Sequence, residues 1–450
     1  MKRFVLLAAR VATPTELLEN GFVVIEGGSV NEVGSGAPPS TAVAVDLGDL
    51  LIAPGFVDVH VHGGGGTQVN CPTREEVGTS VRSMARFHAR HGTTALLATT
   101  VSDSPEALRA AVEGVAAVAT APRGGPASGY PRPGHLSEDG RGAVVLGSHL
   151  EGPWIARSRA GAQFVPALRP PSVAELDDLV ARGSGTVRLV TIAPELEGAL
   201  DLITAALSGG VVVSIGHTDA DYATTKVAFD AGATHATHLF NAMAPMHHRR
   251  PGPIAAALGD ERVSLEIIAD GVHIHPALIA LVATLAPERL VLVTDAIGAA
   301  GAPPGLHRLG PLEVLVTDGR AVLAGNAETV AGSVLTMDKA VELAVKVAHV
   351  PLLTALKAAS LHPAKLLGEH RKGRLSPGAD ADLVVLDRQL GVVATVVGGQ
   401  VAYDPTGLLS SLGDYAASSP AVSSPALSSP AAISAALSSP DEAVEPAPPP

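Results

Sequence analysis

A chain of 450 residues in which 46% of side chains are hydrophobic has material for one large core and a smaller satellite. Its formal net charge of −13 disfavours a nucleic-acid partner, and its single cysteine, Cys71, excludes an internal disulfide and points to a reducing compartment. No uninterrupted apolar run reaches the ~20 residues of a membrane span, so the expectation is a cytoplasmic protein with no membrane partner.

The opening MKRFVLLAAR imitates a secretion signal, but its apolar run is short and closes on Arg10, so it reads as a β-strand. Residues 1–50 hold short strand-like runs, RFVLLAA and GFVVIEGG, broken by Gly, Pro and Asn. The pattern resumes over residues 374–407 with ADLVVLD and VVATVVGGQVAY. The two ends are expected to pair into a small β-sandwich, with a catalytic domain of residues 51–373 inserted between them. Inside that insert, strand-like runs alternate with helix-like ones. Eight strands are expected: FVDVH, TTALLATTV, AVVLGSHL, VRLVTIAP, VVVSIGH, THATHLF, SLEIIAD and LVLVTDA. Helices such as EEVGTSVRSMARFHAR and VLTMDKAVELAVKVA fit an outer ring, so the fold class is α/β, a (β/α)8 barrel of the TIM type. The Pro/Gly-rich residues 121–142 are expected to form a surface loop, and the Ser/Pro/Ala-rich residues 408–450 a disordered tail.

Six polar residues stand near the ends of these strands: His60 and His62, Glu151, His217, His238 and Asp295. A parallel barrel builds its active site from the C-terminal ends of its strands, so the six are expected to meet in one site. Each also has a plain structural alternative. His60 and His62 share a strand face and can take one metal ion, or they can be an ordinary hydrogen-bonded pair. Glu151 can be a ligand or cap a turn, and His217 and His238 can be ligands or satisfied core histidines. Asp295 can bind metal, act as a general base or cap the next turn. His235, deeper in the sixth strand, fits a supporting role better than ligation. No lysine occurs between Lys2 and Lys226, so a ligand bridging two ions from strands two to five is not a lysine, and Glu151 is the candidate.

The segments PGFVDVHVHGG, HLEGPW, GHTDA, THLFNAM, IADGVH, LVTDAIG and VAGSVLTMD, in that order, resemble the N-acetylglucosamine-6-phosphate deacetylases of the amidohydrolase superfamily. The resemblance implies a (β/α)8 barrel with a β-sandwich that hydrolyses the acetamide of a phosphorylated amino sugar. It also implies a place in amino-sugar catabolism and cell-wall recycling. Glu151, His217 and His238 match metal ligands and Asp295 the catalytic acid/base. His60 and His62 match an optional second metal site; one or two divalent ions per subunit are expected, zinc or iron, and keeping both histidines favours two. Ala162, Gln163, Asn241, Ala242, Arg249, His273, Ala331 and Gly332 match substrate positions, and Arg249 is implied to reach the phosphate across a homodimer interface. Gln163 stands where some relatives carry a histidine thought to polarise the acyl carbonyl; glutamine can donate a hydrogen bond but cannot be cationic. Two rival readings remain. Another amidohydrolase acting on a different phosphosugar amide, a cyclic amide or a dipeptide is one; on an uncharged substrate it has no use for Arg249 beside His273. A non-catalytic sugar-phosphate binder is the other, and it is free to lose Asp295.

Overall fold

A computed structural model describes residues 3–39, 43–119 and 142–410. Apart from Gly142 and residues 408–410, the expected insertion and tail lie outside the described residues.

All eight expected barrel strands form: Phe56–Val61, Thr93–Thr100, Val144–Glu151, Val187–Ile192, Val212–Ile215, His235–Ala236, Ser264–Ile268 and Leu290–Val293. They pair in chain order as one parallel sheet. The ring closes just beyond the first and last strands, where the Asp295 N–H donates to His60 O (2.9 Å) and the His62 N–H to Ala296 O (2.8 Å). These strands are covered on both faces, by helices outside and by packed side chains inside, which is why they read as near-continuous apolar runs. Every residue of Thr93–Thr100 is buried. The sixth strand is shorter than THATHLF predicts. His238 (φ 29°) and Phe240 (φ 81°) adopt backbone conformations outside the β region, so pairing stops at Ala236.

The outer helices follow local signals. Arg74–Ala89 starts at Thr73, whose hydroxyl accepts the Glu76 N–H, and carries acidic residues in its first turn and Arg86 and His88 in its last. Met337–Lys346 forms inside the expected VLTMDKAVELAVKVA run.

The two ends of the chain do share a sheet. Arg3–Ala12 pairs antiparallel with Leu17–Glu26 and parallel with Leu51–Pro54, which pairs antiparallel with Leu383–Leu386 from the other end of the chain. The division expected at residue 50 therefore moves: Leu51–Pro54 belongs to the small sheet. Phe4, Leu6 and Ala8 face one core shared with Leu383, Val385 and Val396, while Val5 faces Phe22 and Val24 on the opposite side. The start of the tail is corrected too. Leu409 is buried in this same core, and the Leu408 and Leu409 N–H groups are held by the Asp404 carboxylate, so the folded chain runs past residue 408.

An antiparallel meander of Gly305–Leu309, Leu312–Thr317, Arg320–Leu323 and Asn326–Val330 intervenes between the eighth strand and its helix; the barrel pattern does not announce it. Its central turn is Asp318-Gly319 with φ of 50° and 76°, a pairing suited to a two-residue hairpin loop. One face of the meander packs Val314, Val316 and Ala321 against Val101 and Ile297, which carries its last strand to the mouth of the barrel.

Candidate active site

The six polar strand-end residues meet at the C-terminal mouth of the barrel. Glu151 Oε1 lies 3.1 Å from His217 Nε2 and 2.9 Å from His238 Nε2, and those two nitrogens are 3.0 Å apart. Glu151 Oε2 lies 3.2 Å from His62 Nε2, which is 3.1 Å from both His60 Nε2 and Asp295 Oδ1. Donors around one zinc-like ion at about 2.0–2.1 Å stand roughly 3.3 Å from one another. The two triads His60, His62, Glu151 and Glu151, His217, His238 thus fit one cation each, with Glu151 common to both.

The outward ring nitrogens decide what the inward ones can do. His62 Nδ1 faces the Thr99 carbonyl (3.1 Å) and His217 Nδ1 the Arg159 carbonyl (2.8 Å). A carbonyl only accepts, so these Nδ1 atoms carry the protons and, in the neutral rings, Nε2 presents a lone pair to the centre. His60 Nδ1 faces the Glu266 carboxylate at 2.7 Å, with the same result. Lone pairs aimed at each other at such distances call for a shared proton or a cation between them.

Protons take that role when no metal is bound. Burial pulls His62 towards the neutral form, but hydrogen bonds to Asp295 and Glu151 outweigh it and lift its pKa to about 9. His60 is raised well above the ordinary value in the same way, burial being overcome by the charges of Glu266, Glu151 and Asp295. Burial opposes ionisation of Glu151, yet His60 and His217 hold it well below the usual carboxylate range. Beneath the ligands, burial lifts Asp58 to about 7, against the hydroxyl of Thr294, which donates to it at 2.6 Å.

Three of the six residues sit at positive φ: His217 (47°), His238 (29°) and Asp295 (49°). Such conformations cost non-glycine residues of order 1–3 kcal/mol and persist where the surroundings overdetermine them. Here they turn the chain at the end of each strand, where the side chain of the turning residue itself reaches the centre. Asp295 is held by both its backbone groups: its N–H to His60, and its carbonyl to the Ser333 N–H (2.8 Å).

Of the expected substrate residues, Ala162, Gln163, Asn241, Ala242, His273 and Gly332 line the cavity over this centre. Ala331 does not; it is buried in the apolar cluster that anchors the meander, while Thr329, Val330 and Leu309 join Gly332 at the wall. Arg249 also stands outside the cavity walls, exposed, with Nη1 2.7 Å from His248 Nε2. Gln163 is pinned at both ends: Nε2 donates to Glu151 Oε2 (2.6 Å) and Oε1 accepts the Ser102 N–H (2.6 Å). His273 Nδ1 meets Asp270 at 2.7 Å; burial works against its protonation, but this carboxylate prevails and raises it. The reading of the sequence missed Glu266, Asp58 and His149, all wholly buried inside the barrel. The one signal for Glu266 was an isolated carboxylate within the apolar run SLEII.

An eight-stranded parallel barrel with this His/Glu/Asp constellation at its mouth defines a class, and the chain belongs to it: residues 51–402 match the amidohydrolase family. Within that family it is similar to N-acetylglucosamine-6-phosphate deacetylase from Homo sapiens, 40% identical over 366 residues, 80% of this chain and 85% of that one. It is also similar to N-acetylgalactosamine-6-phosphate deacetylase from Escherichia coli O157:H7, 37% identical over 88% of this chain and 99% of that one. Among solved structures, N-acetyl-D-glucosamine-6-phosphate deacetylase from Mycobacterium smegmatis, in complex with N-acetyl-D-glucosamine 6-phosphate, superposes with a TM-score of 0.80. It is 40% identical, with 89% of this chain and all of that one covered. Among the described residues no helix is long and apolar enough to cross a membrane.

Proposed function

We propose that this chain hydrolyses the acetamide of N-acetylglucosamine 6-phosphate, releasing acetate and glucosamine 6-phosphate, in the cytoplasm. The observation that carries the reading is the convergence of two metal-type triads and Asp295 beneath one cavity, in a chain 40% identical, over the aligned residues, to deacetylases of known name.

Amide hydrolysis needs an activated water, a polarised carbonyl and a proton for the leaving nitrogen. Glu151, His217 and His238 would hold one divalent ion, and His60 and His62 with Glu151 a second; imidazole with carboxylate suits zinc or iron. Such an ion supplies Lewis acidity to the water and to the acyl oxygen. Asp295, whose Oδ1 is turned towards the same centre, takes the proton from water and returns it to the nitrogen. Gln163 spends one amide hydrogen on Glu151 and keeps the other for the acyl oxygen, so it orients the substrate without bringing charge. Asn241, Ala242 and His273 hold the sugar phosphate, and remote binding of this kind can be used to align the acetamide. In this reading Arg249, exposed on its own chain, completes the phosphate site of a second copy in a homodimer. The test is acetate release by metal-loaded protein from N-acetylglucosamine 6-phosphate, its galacto epimer and the unphosphorylated sugar. The galacto substrate is included because the Escherichia coli relative covers this chain as fully as the gluco enzymes do. Equal turnover with and without phosphate would overturn the reading.

A further inference from the structure

Besides Glu151, Asp295 and Asp58, the barrel interior holds a further carboxylate that ligates nothing and is as buried as the ligands. Glu266, on the seventh strand, is wholly shielded from solvent. Its Oε1 accepts from His60 Nδ1 (2.7 Å) and from the His238 N–H (3.1 Å), and its Oε2 accepts from His235 Nε2 (2.8 Å). One side chain therefore touches a ligand of each triad, the imidazole of His60 and the backbone of His238.

We propose that Glu266 sets how many ions this centre holds, by orienting His60 and by supplying the charge that a second divalent cation requires. The orienting part follows from its position: with the Nδ1 proton of His60 drawn to Glu266, Nε2 is left as the metal-facing lone pair, and the ring is more basic for it. The charge part follows from counting. Glu151, Asp295 and Glu266 are each paired with imidazoles. A ligating histidine is neutral, so it offers hydrogen bonds but no positive charge. Glu151 and Asp295 together balance one divalent ion. A second ion adds two more charges in a buried space, and Glu266 offsets one of them; without it the surplus buried charge would be larger, which a protein interior resists. This rests on reading the cluster as a metal centre and is independent of the sugar.

The experiment is zinc titration of the chelator-stripped full chain by calorimetry, with bound zinc counted after dialysis. Wild-type protein should hold two zinc ions per chain. Glu266→Gln should keep one with affinity near wild type and bind the other about 10–100-fold more weakly. His60→Gln should show the same selective loss, and the double variant should lose no more than either single one, because all three delete one site. Glu266→Asp keeps the charge and shortens the reach, and covers the case in which the glutamine variant does not fold; it too should weaken one ion selectively. Two zinc ions at wild-type affinity in a folded Glu266 variant, or a single ion in the wild type, would overturn the proposal. No zinc in the wild type would instead overturn the metal reading beneath it.

Discussion

Asp295→Asn removes proton transfer while keeping the shape and backbone of this residue, and metal content measured alongside separates that loss from the loss of its charge. The backbone at Asp295 is left-handed, φ 49°, and is held by hydrogen bonds to His60 and Ser333. Asparagine tolerates that conformation, whereas alanine would add roughly 1–2 kcal/mol of backbone strain, so a loss in an alanine variant would mix folding with chemistry. The amide keeps an oxygen near His62, 3.1 Å away in the native carboxylate, but cannot accept and return a proton. General acid/base catalysis is typically worth about 10²–10⁴-fold, or roughly 2.7–5.5 kcal/mol of barrier. Stopped assays of acetate release should therefore show kcat at least about a hundredfold lower, with KM changed little and thermal stability retained. A variant that turns over within tenfold of wild type while binding metal normally would remove Asp295 from the mechanism.

Metal loading should depend on pH through the same cluster. His62, lifted to about 9, must shed its proton before Nε2 can ligate, so zinc affinity should fall as the pH drops below 9 and proton release should accompany binding; calorimetry in buffers of different ionisation enthalpy measures it. His217→Ala or His238→Ala should abolish turnover, while His60→Ala should cost less and lower the bound-metal count by one. A chain ending after Ser410 should melt like the full chain, but one ending after Gly407 loses the buried Leu409 and should be less stable by about 2–5 kcal/mol in chemical denaturation. Arg249→Ala should lower kcat/KM at least about tenfold on the phosphorylated substrate, the typical worth of one charge-assisted contact, and should leave the unphosphorylated sugar unaffected. Mixing it with the Asp295→Asn chain should restore activity if the arginine serves the partner's site.

The barrel and the residues that gather at its mouth were legible in the sequence because both are local signals. An apolar β-branched run followed by a polar residue and a turn places that residue at a strand end whatever the rest of the chain does, and His60, His62, Glu151, His217, His238 and Asp295 all carry this mark. The supporting residues carry no such mark. Glu266 meets His60 across 206 positions of sequence, and Gln163 meets Glu151 and Ser102, only because the ring closes and the loop after the third strand folds over its mouth. The meander was not anticipated from the sequence, and its place at the cavity wall is set by packing on Val101 and Ile297. Arg249 shows the converse: its chemistry suits phosphate, yet its own chain leaves it outside the cavity. Strand ends are specified by neighbours in sequence. Which buried carboxylate faces which imidazole is specified by barrel closure and loop packing, and only the folded chain supplies those.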